Sequence, residues 1–409
     1  MNERIARFLA DNSPETPCLV VDLEAIARAY DALCRHLPLA RVFYAVKANP
    51  APAIVGMLER KGANFDVASR GEIELCLDNG VTAERLSFGN TIKKEKDIAF
   101  AYDAGLRLFA FDSAQELDKL ARAAPGARVF CRILVDCRGA EWPLSRKFGC
   151  TPEMAVELLR RARGVGLDPY GVSFHVGSQQ TDLGQWDGAV GAAARMFSLL
   201  AEADIDLRMV NIGGGFPAHY TGEVPAIERY AQAVTAAVTR HFGNHLPEII
   251  IEPGRSLVGD AGVIQSEVVL ISDKGGDDGR RWVYLDVGKF NGLAETMDES
   301  IKYRIRTSAD GGATGPTVIA GPTCDSADIL YERTEYNLPL DLKIGDKVEI
   351  LSTGAYTSMY SSVGFNGFAP LKTYCIKSES RPAAAAGRRV RRAASAGAPR
   401  RSSGSLQPA

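Results

Sequence analysis

The sequence lacks any apolar run long enough to cross a lipid bilayer. Its apolar runs, such as the one at residues 249–251, extend over only a few residues. The first residues, MNERIARFLADNSPET, are charged from the start and contain neither an apolar core nor a signal-peptide cleavage site. These absences argue against a secreted or membrane-spanning protein, so we expect the chain in the cytoplasm.

Cysteine pairs with metal-binding spacing are also missing. Eight cysteines are scattered along the chain without a CxxC motif, which favours a reducing compartment over a disulfide framework or a zinc site. His241 and His245 have i, i+4 spacing, but Gly243 and Asn244 interrupt the helix between them. We therefore expect no bound metal.

Charge is distributed unevenly. From Arg381 to the end the chain has seven arginines and no acid, and removing these seven charges from the whole-chain charge of −2 leaves −9 for residues 1–380. An acidic body does not suit a nucleic-acid binder. Residues 378–409 are rich in Ala, Arg, Ser, Gly and Pro and lack aromatics, which predicts a disordered tail. An inert tail is favoured over one that binds anionic partners weakly.

What the chain does contain is a regular alternation of short, β-rich apolar runs with amphipathic segments of helical length. Because a right-handed crossover returns each strand to the same end, this alternation predicts a parallel sheet. Eight such units fit a closed (β/α)8 barrel, with an open doubly wound sheet as the alternative. The predicted strands are residues 41–49, 64–69, 85–90, 107–112, 127–135, 170–177, 208–215 and 248–254.

Each of these eight runs has a polar residue or glycines in its carboxyl-terminal half. At the carboxyl ends of barrel strands such residues meet on one rim, whereas a packing role would need apolar side chains there. The pattern favours the barrel and predicts a pocket at that rim. The residues concerned are Lys47, Asp66, Asn90, Asp112, Arg132, His175, Gly213–Gly215 and Glu252.

The pattern of apolar and polar residues changes after about residue 258. Apolar and polar residues alternate between turn-forming Gly, Asp and Asn, and no long helical pattern follows. This predicts a second domain, a mostly antiparallel β-sandwich or β-barrel. We therefore expect an amino-terminal segment at 1–20 that joins the β domain, the α/β barrel at 21–260, the β domain at 261–377 and the tail at 378–409.

Three rim residues have side chains suited to cofactor chemistry. Lys47 ends an apolar strand, so we expect partial desolvation, a lowered pKa and a neutral amine able to form a Schiff base; a lysine that merely extends to the rim is the alternative. Glu252 could keep a pyridine nitrogen protonated. The flat ring of His175 could stack on a cofactor, although a lone histidine at a strand end is more often structural.

Two loops suggest a phosphate site. GGGFP (213–217) follows the seventh predicted strand and EPGR (252–255) follows the eighth, where barrel enzymes commonly bind phosphate through backbone N–H groups. Arg255 would add a charged contact. Glycines alone also serve tight turns, but their position beside an arginine favours a phosphate.

Nine motifs, read together, resemble the fold type III pyridoxal-phosphate decarboxylases, which act on ornithine, lysine, arginine or diaminopimelate. They occur in the family's order over about residues 17–377 and are highly specific. The motifs are YAVKAN, FDVAS, KFG (147–149), HVGS (175–178), GGGFP, EPGR, GPTCDSAD (321–328), GAYT (354–357) and FNGF (365–368).

The resemblance implies a pyridoxal 5'-phosphate cofactor, with Lys47 forming the internal aldimine, Glu252 pairing with the pyridine nitrogen and His175 stacking on the ring. It further implies a head-to-tail homodimer in which Cys324 and Asp325 reach into the partner's site, Cys324 being the acid that reprotonates the α-carbon. The remaining residues expected around the cofactor are Asp66 and Arg132 near the ring, and Ser178, Gly214, Gly215, Arg255 and Tyr356 at the phosphate.

The substrate is suggested by the segment GKFNGLAETMDESIKY (288–303), which contains Glu295, Asp298 and Glu299. A distal ammonium needs a carboxylate partner, whereas the second carboxylate of diaminopimelate needs a cationic one. The segment looks more like bacterial lysine/ornithine enzymes than eukaryotic ornithine decarboxylases. We expect Asp298, with Asp325, to contact the distal amine of ornithine, and lysine as a second substrate. A merely solvated helix face is the alternative for each acid.

Two rival functions remain at this point. A barrel racemase would also use a lysine Schiff base, but a tyrosine is expected where this chain has Cys324, and Glu252 favours decarboxylation. An inactive regulatory homologue would be expected to lose the lysine or the cysteine, and this chain retains both.

Overall fold

The computed structural model describes residues 2–142, 147–275 and 279–377, and strands occur in all three ranges. The tail at 378–409, predicted to be disordered, lies outside the described residues. The strands are β1 (Cys18–Asp22), β2 (Ala40–Ala45), β3 (Asn64–Val67), β4 (Leu86–Phe88), β5 (Leu108–Phe111), β6 (Arg128–Arg132), β7 (Ala140–Trp142), β8 (Asp168–Ser173), β9 (Ser178–Gln180), β10 (Met209–Asn211), β11 (Glu248–Ile251), β12 (Gly262–Asp273), β13 (Arg281–Leu285), β14 (Ile305–Thr307), β15 (Thr314–Ala320), β16 (Ile329–Tyr331), β17 (Asn337–Pro339), β18 (Lys347–Leu351) and β19 (Lys372–Ile376).

Helices connect most of the strands up to β11, and several begin at a capping side chain. Ser69 and Ser113 accept hydrogen bonds from the backbone N–H groups of Glu72 and Glu116, each at 3.3 Å, which satisfies donors that a helix start leaves open. The helices are α1 (Glu3–Asn12), α2 (Leu23–His36), α3 (Pro52–Arg60), α4 (Arg70–Asp78), α5 (Glu95–Asp103), α6 (Ala114–Ala123), α7 (Pro152–Gly164), α8 (Gln185–Ala201), α9 (Ile227–Phe242) and α10 (Arg255–Val258).

Eight parallel strands close into a barrel in the order β10–β11–β2–β3–β4–β5–β6–β8, and β8 pairs again with β10. This confirms the predicted (β/α)8 barrel over the open sheet. Strands covered on both sides must be apolar, and in β11 Ile249 to Ile251 are at most 1% exposed. The interior is filled rather than open, because side chains from five barrel strands pack together: Phe43, Ala110, Phe130, Met209 and Ile250.

A separate sheet of nine strands forms the second domain, in the order β14–β18–β12–β13–β15–β16. Strand β1 pairs with β12 and β19, and β17 pairs with β15. Most neighbouring pairs are antiparallel, but β1–β19 and β13–β15 are parallel, so the sheet is mixed. The predicted second β domain is thus confirmed, while the exact residue bounds expected for each part of the chain stay predictions.

The β domain meets the barrel at the rim. The backbone N–H of Tyr356 donates to the Ala48 carbonyl at 2.9 Å, and the Asn49 side chain donates to the Gly354 carbonyl at 2.8 Å. These bonds hold the GAYT motif against the end of β2, directly beside Lys47. No helix in the described ranges is both long and apolar enough to span a membrane.

Candidate active site

The carboxyl rim of the barrel collects the predicted charged residues. Lys47 lies in a 3₁₀ turn directly after β2, Asp66 lies in β3, Arg132 ends β6, and His175 and Glu252 follow β8 and β11. Each parallel strand ends on the same face of the barrel, so residues up to two hundred positions apart converge. The electrostatic influence of Asp66, Glu252 and Arg132 on Lys47 reflects this proximity.

The protonation of Lys47 differs from the prediction. The Lys47 side chain is exposed between buried Val46 and Ala48. The surrounding protein removes part of its hydration, which lowers its pKa, but the acidic groups Asp66, Tyr356 and Glu252 raise the pKa by more, so the net shift is upward. The predicted lowering of the Lys47 pKa is therefore wrong for this arrangement, because the rim contains more acidic groups than a reading of one strand reveals.

Asp66 is the least satisfied carboxylate of the rim. It is 4% exposed, and its Oδ1 atom has no hydrogen-bond partner among the described residues. Burial and the nearby Glu252 raise the pKa of Asp66 well above its usual value. A buried carboxylate oxygen without a partner is costly, so its presence at the rim indicates a place where a further polar group belongs.

His175 is held in one orientation by its own loop. The Gly177 backbone N–H donates to His175 Nδ1 at 3.0 Å, which leaves Nε2 to carry the proton of the neutral ring. Burial, Arg132 and Lys47 lower the pKa of His175 well below its ordinary value. A neutral, flat ring at this rim is suited to stacking and not to carrying charge.

Glu252 is oriented by a residue that the sequence analysis missed. The side chain of Asn211, which is 0% exposed, donates to Glu252 Oε1, and Asn211 Oδ1 accepts from the Gly213 backbone N–H at 2.9 Å. Asn211 thus links the carboxylate to the glycine loop. The available signal was an amide at the end of the otherwise apolar strand β10.

The glycine loop needs its glycines for steric reasons. Gly213 and Gly215 have φ values of +68° and +100°, which side chains disfavour. A Cβ on Gly214 would lie 2.7 Å from the Glu252 carbonyl oxygen and 3.2 Å from His175 Nε2. A side chain at Gly214 would therefore collide with the rim, whereas glycine leaves the loop backbone uncovered, as anion-binding loops require.

Gln179 was also missed as a support of this loop. Its amide donates to the Ala218 carbonyl at 2.7 Å, and its Oε1 accepts from the Ala218 N–H at 3.0 Å. This reciprocal pair fixes the end of the glycine loop against strand β9. Ser178, a predicted phosphate ligand, lies in the same strand.

Arg255 is more fully engaged than the sequence indicated. It is 3% exposed, and its two terminal nitrogens donate to both carboxylate oxygens of Glu295 at 2.6 Å. It also donates to Ser178 Oγ at 3.1 and 3.2 Å and to Tyr220 Oη at 2.7 Å, and the Tyr356 ring centroid lies 4.9 Å from its Cζ. Arg255 therefore joins the predicted phosphate residues Ser178 and Tyr356 to the β domain.

The three acids of the 288–303 segment have different roles. Glu295 pairs with Arg255, and Glu299 accepts backbone hydrogen bonds from residues 332–334. These bonds outweigh partial burial and lower the pKa of Glu299 to about 2. Asp298 is exposed and lines a cavity of about 530 Å³ together with Lys289, Phe290 and Tyr360. Of the three, Asp298 is the one facing open space.

Cys324 and Asp325 have no hydrogen bond or ion pair with the Lys47 group among the described residues. Both are exposed on the β domain. The backbone N–H of Cys324 donates to Asn366 Oδ1, and Asp325 Oδ1 accepts from the Ala327 N–H, both at 2.8 Å. The described chain thus leaves this pair of side chains open to solvent.

The rim residues fit a flat, phosphorylated cofactor. Lys47 offers an amine, His175 a flat ring, and Asp66 a buried carboxylate oxygen without a protein partner. The close approach at Gly214 and the hydroxyl groups of Ser178 and Tyr356 provide uncharged donors for a phosphate. These residues would hold pyridoxal phosphate in the positions that they already occupy on the rim.

Comparison with known proteins agrees with this geometry. The family model for "Pyridoxal-dependent decarboxylase, pyridoxal binding domain" matches residues 23–259. The lysine/ornithine decarboxylase of Selenomonas ruminantium is 35% identical over 370 residues, covering 90% of this chain and 91% of the relative. Antizyme inhibitor 2 of Xenopus laevis is 32% identical over 379 residues, covering 90% of this chain and 82% of the relative.

Solved structures show the same architecture. SrLDC in complex with PLP and cadaverine superposes with a TM-score of 0.82 at 34% identity, covering 92% of this chain and 94% of that one. The lysine/ornithine decarboxylase of Vibrio vulnificus complexed with cadaverine also gives 0.82, at 31% identity, covering 92% of this chain and 100% of that one.

Proposed function

Because this chain belongs to the pyridoxal-dependent decarboxylases, and so is a pyridoxal-phosphate enzyme acting on basic amino acids, we propose that it decarboxylates L-ornithine to putrescine and CO2. L-lysine is a second substrate in this proposal, giving cadaverine. The protein would then supply the diamines from which polyamines are made.

The substrate proposal depends on the exposure of Asp298 at the cavity. Glu295 and Glu299 are both committed to contacts within the protein, whereas Asp298 is exposed and lines the cavity. A distal ammonium is stabilised by a carboxylate partner when it leaves bulk water. The names of the relatives, which include lysine/ornithine and ornithine decarboxylases, support the same substrates. We propose Asp325 of a second subunit as a further contact for that amine.

The site residues divide into those that hold the cofactor and those that handle the substrate. Pyridoxal phosphate, when bound, supplies an electron-withdrawing ring that accepts the electron pair left by departing CO2. Lys47 would hold the cofactor covalently, Glu252 would keep its ring nitrogen protonated, and His175 would lie against its face. Asp66 and Arg132 would flank the ring. The proposed phosphate contacts are Ser178, Gly214, Gly215, Arg255 and Tyr356.

Proton transfer is assigned to Cys324. After CO2 leaves, the α-carbon needs a proton, and a thiol positioned beside it can donate one. Cys324 is exposed on the β domain, where its backbone N–H donates to Asn366 Oδ1 at 2.8 Å. We therefore propose a homodimer in which each subunit offers Cys324 and Asp325 to the site of the other.

The first test is CO2 release by purified protein supplied with pyridoxal phosphate. L-ornithine, L-lysine, L-arginine and meso-diaminopimelate are offered separately. We expect release from ornithine and lysine, with the higher kcat/KM for ornithine, and loss of release in Lys47→Ala. One methylene distinguishes the two substrates and is worth about 1–3 kcal/mol in a pocket, so the ratio of kcat/KM is the quantity to report.

Other outcomes would change the proposal. Release from diaminopimelate alone would contradict the role given to Asp298, whereas release from arginine alone would contradict ornithine and lysine as the substrates. Interconversion of L- and D-amino acids without CO2 release would instead favour a racemase.

A further inference from the structure

The segment that carries Asp298 has an unusual backbone. Residues Ala294–Glu299 form a short 3₁₀ element with a kink, in which Asp298 and Glu299 have φ values of +53° and +56°. Two consecutive residues other than glycine rarely adopt this left-handed conformation, which costs free energy. Such a conformation persists where surrounding contacts impose it. The contacts at both ends of the segment therefore explain why this conformation persists.

The first end is anchored on the barrel. Glu295 is 3% exposed, and both of its carboxylate oxygens accept hydrogen bonds from Arg255 at 2.6 Å. Arg255 begins α10 and lies three residues after the rim residue Glu252. A bidentate pair between a guanidinium and a carboxylate fixes direction as well as distance. This end of the segment therefore cannot move without moving a residue of the proposed phosphate site.

The second end is anchored within the β domain. Glu299 is 8% exposed and accepts three backbone hydrogen bonds, from the N–H groups of Glu332 at 3.0 Å, Arg333 at 2.8 Å and Thr334 at 2.6 Å. A carboxylate that accepts several backbone N–H groups is held rigidly in its charged form. The loop between β16 and β17 thus holds the Glu299 carboxylate in place.

Asp298 lies between these two anchors, beside Met297, and both are exposed at the cavity. Taken with the proposed role of Asp298, on which this inference rests, we infer that Glu299 is a positioning residue for substrate recognition. Together with Glu295 it clamps the kink that points Asp298 at the distal amine. The clamp would fix the distance at which that amine is bound.

Glu299 is the better anchor to test, because it does not contact Arg255 and its loss leaves the proposed phosphate contacts in place. Glu299→Gln preserves the size of the side chain but replaces one accepting oxygen by an amide that donates. The measurements on full-length, cofactor-loaded protein are KM and kcat for L-ornithine and L-lysine. Calorimetric Kd values for cadaverine and for pentylamine, which lacks the distal amine, complete the set.

We expect Glu299→Gln to raise KM for both amino acids and Kd for cadaverine by about tenfold, the effect of one hydrogen bond to a charged group. The Kd of pentylamine should change by less than about twofold, since it makes no such contact. Arg333→Ala is the matched control. It removes only the exposed ion-pair partner of Glu299, at 3.5 Å, and should leave all values within about twofold.

Asp298→Asn is measured alongside to separate the two claims. If Asp298→Asn weakens cadaverine binding but Glu299→Gln does not, the positioning role is wrong and the proposed amine contact stands. If neither variant weakens it, the contact assigned to Asp298 fails, and the positioning role with it. Should Glu299→Gln not fold, Glu299→Asp, which keeps the charge but cannot reach all three N–H groups, replaces it with the same expected direction.

Discussion

At the scale of single residues, the buried side-chain amide of Asn211 supports the rim residues of the proposed site. It donates to Glu252 and accepts from Gly213, so it couples the carboxylate to the glycine loop. Neither the carboxylate nor the loop would hold its position as firmly if this amide were absent. Supporting hydrogen bonds of this kind behind functional groups are commonly worth about 10–100-fold in function.

We therefore expect Asn211→Ala to lower kcat/KM for ornithine by about tenfold or more. The variant leaves Glu252 without its donor and the Gly213 N–H without its acceptor. Steady-state kinetics and titration with pyridoxal phosphate would measure the loss. Asn337→Ala, an exposed amide in β17, is the control that should behave as wild type. Unchanged kinetics in Asn211→Ala would mean that Glu252 is oriented by other contacts.

Cys324 carries the second prediction at this scale. Without its thiol, the proton needed after CO2 leaves would more often reach the wrong carbon, so Cys324→Ala should form more side product per CO2 released. Chromatographic quantification of diamine and by-products measures the ratio. The assignment of Cys324 as the proton donor would be abandoned if the ratio stayed at the wild-type value.

At the scale of elements, the loop after β10 is tied to the end of β18 by three polar residues. His219 Nδ1 lies 2.6 Å from Asp260 Oδ2, and Ser352 Oγ lies 2.7 Å from both the His219 carbonyl oxygen and Asp260 Oδ1, to either of which it can donate. The hydrogen bond to Asp260 raises the pKa of His219. Opposing the effect of burial, the bonds from His219 and Ser352 lower the pKa of Asp260. The junction is therefore sensitive to pH.

The direction of this sensitivity follows from the two pKa shifts. The His219 contribution is complete below its unfolded pKa of about 6.5 and is lost as pH rises through the raised folded value. The Asp260 contribution is present above its unfolded pKa and is lost as pH falls through the lowered folded value. The pair therefore stabilises the fold most in the window between these limits.

We expect His219→Gln to be less stable than wild type in mildly acidic solution and equally stable in alkaline solution. Because the His219 side chain is 61% exposed, solvent screening limits the difference to about 0.2–1 kcal/mol. Thermal unfolding across the pH range measures it. A difference in Tm that did not change with pH would show that the imidazolium contributes nothing to the junction.

At the scale of the whole molecule, the chain gathers one part of the proposed site at the barrel rim and, in the proposed homodimer, would offer another part to its partner. Lys47, His175 and Glu252 gather at the barrel rim, whereas Cys324 and Asp325 lie exposed on the β domain. Large apolar side chains are exposed on the same domain, including Val363 at 87% and Tyr360 at 42%. A second copy would cover such side chains and complete the site.

Mixing two variants that are each defective in forming diamine tests this arrangement. Lys47→Ala and Cys324→Ala subunits, dissociated and reassembled together, should regain diamine formation because a mixed dimer contains one intact site. With random pairing in a twofold dimer, about a quarter of the wild-type rate of diamine formation is expected above that of the controls. Each variant reassembled alone is the control. If the mixture forms no more diamine than the average of the controls, the two residues do not act in a shared site.

The sequence by itself determined the barrel, the second β domain and the residues of the rim. Alternating strand and helix patterns are local properties, and the end of a parallel strand is a defined place, so Lys47, His175 and Glu252 could be located in advance. The family motifs include these same residues, so the resemblance also predicted the cofactor.

Only the tertiary structure decided how these residues interact. The pairing of Arg255 with Glu295, the amide bridge of Asn211 and the upward pKa shift of Lys47 depend on distances between residues far apart in the chain. The same holds for the separate fates of Glu295, Asp298 and Glu299, which have the same chemistry and lie within five positions of one another. Local patterns define which residues face the rim, whereas hydrogen-bond geometry and burial define which of them remain free to bind.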